Sequence, residues 1–300
     1  MRYRYVTADV FTNRAYGGNP LAVVLDAQGL TAAQMQRIAR EFNYSETSFV
    51  LPARDPAHTA WVRIFTPDRE VPFAGHPNVG TAIVLAREWR AAGRPVPETL
   101  VFEEEAGLVR IALKTGEPAV QRAELTAPRP LERAGVAAVD AVARALTLDP
   151  ADIDASTHPP QVVSVGLTFL VVQLASRDAL RRAAPDAQGY AALLPLDGAK
   201  SIYAYTTDTA AEPGTDVQAR MFTGRMTEDP ATGSATAAAT ALRAALRGGM
   251  LRLRVGQGVD MGRASLLFAH AEPRADGVWA GVAGEAVVVM EGTLPAPAQA

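Results

Sequence analysis

The sequence predicts an α+β protein of two similar halves, each a mixed β-sheet curled around a central, buried α-helix. Three observations carry this expectation. Alternating segments such as YRYVTADVF, PLAVVLD and ETSFVLP read as strands between helical stretches. Two long segments, GHPNVGTAIVLAREWRAAG and TGSATAAATALRAALRGG, read as helices with apolar or small residues on more than one face, the pattern of a helix buried all round. The order glycine turn, strand, helix, strand, buried helix occurs twice along the chain.

In chain order, TAAQMQRIAREF is the first helix, because Thr31 and Gln34 form a capping box. The second begins with Pro77 at its first position and His76 just before it, and stops at Gly93. Strands around TLVFEEEAGLVRIAL lead into TGEPAVQRAELTAPRPLERAG, whose prolines and charges suit a crossing between halves. The expected division is residues 1–117 plus about 285–300 for one half and 118–284 for the other. In the second half, VGLTFLVVQLASRDALRRAA echoes the opening strand and helix, SIYAYTT answers ETSFVLP, and the alanine-rich helix stops at Gly248. Its run from Ala235 to Ala241 has little side-chain volume, so a sheet must approach it closely. VWAGVAGEAVVVMEG supplies the last strands.

Composition narrows the function. The 300 residues are 48% hydrophobic and 20% charged, with a net charge of −3 and a pI near 5.9. That balance gives no reason to expect a nucleic-acid or membrane partner. Cysteine is absent, which removes disulfides, thiolate nucleophiles and cysteine metal sites together. Four scattered histidines have no metal-ligand spacing, so no metal is expected. The N-terminus lacks the apolar core of a signal peptide, and a cytoplasmic location follows by default.

The segment TEDPATGSATAAATAL draws attention to chemistry. Helix N-termini bind anions through unpaired N–H groups and the dipole. Ser234 is either an N-cap or a ligand for a small acid, and Asp229 either ties its own turn or points a carboxylate toward a substrate. His76 is either a cap, a satisfied core group or a substrate ligand at the other helix head. Glu46, at the entry to an apolar strand, becomes an acid/base only if burial raises its pKa toward neutrality. Arg69 and Glu70 read as a solvated or mutually paired couple.

Five segments in order, FTNRAYGGNPLAVVL, FNYSETSFVL, FTPDREVPFAGHPNVGTA, RMFTGRMTEDPATGSATAA and GQGVDMGRASLL, resemble the signature segments of the PhzF-like phenazine-biosynthesis family over nearly the whole chain. The resemblance implies a diaminopimelate-epimerase-like fold with the site in a cleft between the halves. It also implies isomerase activity on a small unsaturated or cyclic carboxylic acid, of the trans-2,3-dihydro-3-hydroxyanthranilate isomerase type, with no cofactor and as a homodimer. Carried over by position, Glu46, His76 and Asp229 are the catalytic groups, while Gly75, Gly233 and Ser234 bind the substrate. Both a base-mediated and a concerted hydrogen shift stay open. Two departures stand out: Ala264 replaces a proline in the segment Gly262 to Ser265, and FTGRMT replaces a proline and glycine loop before Asp229. These bear first on substrate identity. The alternatives are an amino-acid epimerase or racemase of the same fold, disfavoured because those enzymes generally use two opposed cysteines and this chain has none, and a non-catalytic small-acid binding or protein-interaction protein.

Overall fold

The computed structural model describes residues 2–115, 120–212 and 214–298. The expected division between residues 117 and 118 lies outside the described residues. The chain forms two compact units, Met1–Leu125 with Ala283–Ala300, and Thr126–Val282.

The first unit runs β1 (Arg2–Val10), β2 (Asn19–Val24), α1 (Ala32–Phe42), β3 (Glu46–Leu51), β4 (Ala60–Phe65), β5 (Glu70–Val71), α2 (Gly75–Ala91), β6 (Thr99–Glu104) and β7 (Gly107–Thr115), with β8 (Val120–Thr126) at its border. The second runs β9 (Glu132–Val136), α3 (Val139–Ala145), β10 (Gln161–Ser164), β11 (Thr168–Gln173), α4 (Arg177–Arg182), α5 (Ala187–Leu193), β12 (Ile202–Thr206), β13 (Val217–Phe222), β14 (Glu228–Asp229), α6 (Gly233–Arg247), β15 (Leu251–Gln257), β16 (Ser265–Arg274) and β17 (Gly277–Gly284). The chain then returns to the first unit as β18 (Ala286–Pro295), antiparallel to β1. The segment expected to be a bare crossing thus contributes β8 and β9, because its Val120–Thr126 stretch finds a partner along β7.

Each unit is wired in the same way. In the first, β1 is antiparallel to β2, β2 parallel to β3, β3 antiparallel to β4, β4 parallel to β6 and β6 antiparallel to β7. In the second the same sequence links β10, β11, β12, β13, β15 and β16. A two-residue strand follows β4 and β13 alike, and the long helix comes next. This is the α+β architecture of two similar halves, each with a mixed sheet around a helix.

The pairing of Arg with Glu also repeats. Arg63 donates to both carboxylate oxygens of Glu70, at 2.6 Å each. Arg220 does the same to Glu228 at 2.9 and 2.7 Å. Each guanidinium lies over the aromatic ring two residues on, Phe65 at 5.3 Å and Phe222 at 4.8 Å. Glu70 therefore pairs across the β4–β5 hairpin with Arg63 and not with its neighbour Arg69, which is exposed. In a strand, adjacent side chains point to opposite faces, so a cross-strand partner wins over a sequence neighbour.

The helices are buried as their sequences suggest. Every residue of α2 from Gly75 to Ala86 is buried. At Gly80 an added Cβ would come within 2.6 Å of Leu21 and Val10, so the sheet lies directly against the helix backbone. In α6, residues Ala235 to Leu242 are buried throughout. The Thr31–Gln34 capping box starts α1, and Gly248 closes α6 in the left-handed conformation at φ 76°. The start of α2 differs from expectation: it begins at Gly75, with Ala74 as the N-cap, and Pro77 sits third. Proline is tolerated there because first-turn N–H groups have no intrahelical acceptor. Among the described residues, no helix is long and apolar enough to cross a membrane.

Candidate active site

Glu46 is the first residue of β3, opposite Leu21 of β2. Ser45, just before it, donates to the Oδ1 of the fully buried Asn19 at 2.9 Å, which ties the turn before Glu46 to the start of β2. Neither Asn19 nor Ser45 stood out in the sequence, where both read as ordinary turn residues. The Glu46 side chain keeps 21% of its surface exposed, and its Oε2 lies 3.6 Å from Nδ1 of His76.

His76 is the second residue of α2 and is buried. Burial lowers its pKa to about 3, so the imidazole is neutral at physiological pH and the 3.6 Å approach is not an ion pair. Its Nε2 is buried with no hydrogen-bond partner among the described residues. A neutral imidazole offers one donor and one acceptor without pinning the adjacent carboxylate by charge. No side chain caps α2, since Ala74 cannot. The N–H groups of Gly75 and His76 therefore stand at an open, electropositive helix head.

The second unit presents a different head. Thr232 is the N-cap of α6, with Gly233 first and a half-buried Ser234 second, so Ser234 is not the cap. Thr232 does not cap with its side chain either. Its hydroxyl donates instead to Oδ2 of Asp229 at 2.5 Å. One oxygen of the Asp229 carboxylate thus accepts a bond within its own turn. Fully buried Gln257, at the end of β15, holds the same turn: its Nε2 donates to the Asp229 carbonyl at 2.8 Å and to Thr232 Oγ1 at 3.1 Å, and its Oε1 accepts from the Thr232 N–H at 3.1 Å. Ser265, opposite Gln257 in the β15–β16 register, donates to the Pro230 carbonyl at 2.9 Å. The segment GQGVDMGRAS signalled the family but gave no hint of this contact.

Two of the remaining histidines serve other ends. His58 Nδ1 meets Glu103 at 2.9 Å, and His158 lies between the Pro159 carbonyl and the Tyr205 hydroxyl. Among the described residues, no cluster of three or more His, Asp or Glu side chains is arranged to hold a metal ion.

An α+β frame built twice sets a carboxylate and a neutral imidazole side by side at the start of one buried helix, with no thiol anywhere in the chain. Comparison with known proteins sharpens this. Residues 8–292 match the family model described as phenazine biosynthesis-like protein. An uncharacterized isomerase of Mesorhizobium japonicum is 39% identical, the match covering 97% of this chain and 98% of that protein. The trans-2,3-dihydro-3-hydroxyanthranilate isomerase of Pseudomonas chlororaphis is 35% identical over 97% of this chain and 99% of its own. Among solved structures, a Bacillus anthracis phenazine biosynthesis protein of the PhzF family superposes with a TM-score of 0.88 at 26% identity, covering 98% of this chain and 99% of that one. The chain belongs to the phenazine biosynthesis-like family, and it is an isomerase.

Proposed function

We propose that the protein moves a proton between carbons of a small unsaturated or cyclic carboxylic acid, with Glu46 as the acid/base. The observation that carries this reading is the Glu46 carboxylate 3.6 Å from a buried, neutral His76 at the uncapped head of α2. The Pseudomonas chlororaphis relative acts, by its name, on trans-2,3-dihydro-3-hydroxyanthranilate, which makes that compound the first substrate to try.

In the proposed reaction Glu46 takes a proton from a carbon beside the unsaturated system. The C–H electron pair moves into that system, and a second carbon accepts a proton from Glu46, so no redox change occurs. A concerted shift guided by Glu46 gives the same balance. His76 and Asp229 hold the polar groups of the substrate. The N–H groups of Gly75, His76, Gly233 and Ser234, with the Ser234 hydroxyl, bind its carboxylate and developing charge. That groups of both units serve one substrate rests on the family resemblance, as do the absence of a cofactor and assembly as a homodimer; a cytoplasmic location rests on the sequence expectation alone.

The test is proton NMR of trans-2,3-dihydro-3-hydroxyanthranilate with purified protein in deuterated water. Wild type should convert the compound and incorporate deuterium at carbon under the base-mediated route, or convert it without incorporation under the concerted one. Glu46→Gln should lower kcat about 10²- to 10⁴-fold. Conversion by the variant at the wild-type rate overturns the role of Glu46. Absence of conversion by wild type overturns the substrate.

A further inference from the structure

We propose that Gln257 is a positioning residue for Asp229, acting through the hydroxyl of Thr232. This rests on the reading that Asp229 serves the reaction.

The hydrogen-bond directions allow only one arrangement. The Asp229 carbonyl can only accept and the Thr232 N–H can only donate, so the amide of Gln257 has a single orientation, Nε2 toward the carbonyl and Oε1 toward the N–H. The second hydrogen of Nε2 then faces Thr232 Oγ1. Because that hydroxyl accepts from Gln257, its single proton is left for Oδ2 of Asp229. Gln257 thereby sets the direction of a chain that ends on the carboxylate. Without it, the Thr232 hydroxyl is free to turn toward the N–H of Ser234 or Ala235 and cap α6 in the ordinary way. Asp229 would then lose the Thr232 donor that orients its carboxylate.

The surrounding backbone is shaped to keep Gln257 in place. Gly258 follows it at φ 72°, where an added Cβ would meet the Arg263 and Pro230 carbonyl oxygens at 2.6 Å. Ser265 holds the Pro230 carbonyl from the opposite strand. Strand ends and turn form one bonded unit around Asp229, Pro230 and Thr232.

The experiment compares kcat and KM of Gln257→Leu, Thr232→Val and Thr232→Ser, each alone and in the Asp229→Asn background, with folding checked by thermal denaturation. Gln257→Leu and Thr232→Val should lower kcat about 10- to 100-fold while KM changes less than about threefold, and Thr232→Ser, which keeps the hydroxyl, should stay near wild type. In the Asp229→Asn background neither should cause a further loss, since both act through the group already removed. Should Gln257→Leu fail to fold, Thr232→Val reads the same contact. Unchanged kcat in the folded variants, or losses that add to that of Asp229→Asn, would overturn the positioning role while leaving Asp229 in place. Full activity of Asp229→Asn would instead overturn the reading beneath it.

Discussion

The two helix heads start from one backbone plan and end in different chemistry. From the paired glutamate onward the first unit reads Glu70, Val71, Pro72, Phe73, Ala74, Gly75, His76, and the second Glu228, Asp229, Pro230, Ala231, Thr232, Gly233, Ser234. The glutamate, the proline and the first helical glycine coincide. Where the second unit places Asp229 and Thr232, the first has Val71 and Ala74, which can neither donate nor accept through their side chains. The first unit draws its carboxylate from elsewhere, Glu46 on β3, and sets it against His76. What is kept in both units is what fixes the backbone; what differs includes His76, Asp229 and Ser234, the residues that the proposed function assigns to the substrate.

The duplicated Arg–Glu pair offers the strongest test of that division. Arg220 also donates to the carbonyls of Leu180, Arg181 and Ala183 at the end of α4, at 3.0, 3.1 and 2.7 Å, while Arg63 has no such carbonyl bonds among the described residues. Arg220→Met should therefore cost about 3–5 kcal/mol, because it strands a largely buried Glu228 together with three carbonyls, and Arg63→Met about 2 kcal/mol. Urea denaturation reads both; equal losses would mean that the carbonyl bonds add nothing.

A smaller effect is expected within the helices. Gly80 of α2 and Ala238 of α6 lie equally far from their helix starts and both are buried. Gly80→Ala should destabilise by about 1–2 kcal/mol, since its Cβ intrudes on Leu21 and Val10. Ala238→Gly should cost about 1 kcal/mol for a different reason, the lost helix propensity. A stabilising Gly80→Ala would show that the sheet yields around α2.

The smallest effect concerns Glu104, which ends β6 as Gln257 ends β15, one step beyond the Trp61–Glu103 register pair. Both of its carboxylate oxygens are buried without a hydrogen-bond partner among the described residues. Burial raises its pKa to about 8 from an ordinary 4.5, with the nearby Asn78 amide opposing the shift too weakly to cancel it. Between pH 4.5 and 8 the folded protein holds a proton that the unfolded chain has released, so this group's contribution to stability falls as pH rises through that window. Glu104→Gln should raise Tm at pH 8 by on the order of 2 °C and change little at pH 4.5. The same gain at both pH values would place the effect in packing instead of charge.

Much of this frame was legible in the sequence because it rests on local rules. Period-two alternation marked most strands, Thr31 with Gln34 marked the start of α1, and Gly248 marked the end of α6. The start of α2 was hidden because Ala74 is not a capping residue, which is the very property that leaves the head open. The family segments pointed to Glu46, His76 and Asp229, but the Gln257 contact was invisible: glutamine at a strand end has no characteristic pattern, and its partners lie 25 and 28 residues away. The pairing of Glu70 was misread for a related reason, since the hairpin that brings Arg63 across is a tertiary fact.

One consequence of the Glu104 position concerns where the molecule gives way. A glutamine and a protonated glutamic acid have nearly the same shape, so the two strand ends bury alike neutral side chains only while Glu104 keeps its proton, even though Gln257 is bonded to its turn and the Glu104 oxygens find no partner among the described residues. As the solution becomes alkaline, that likeness ends at one of the two places. The head of α2 then becomes the weaker point, and backbone amides around it should exchange with solvent earlier than those around Gln257, a local opening that precedes any global unfolding.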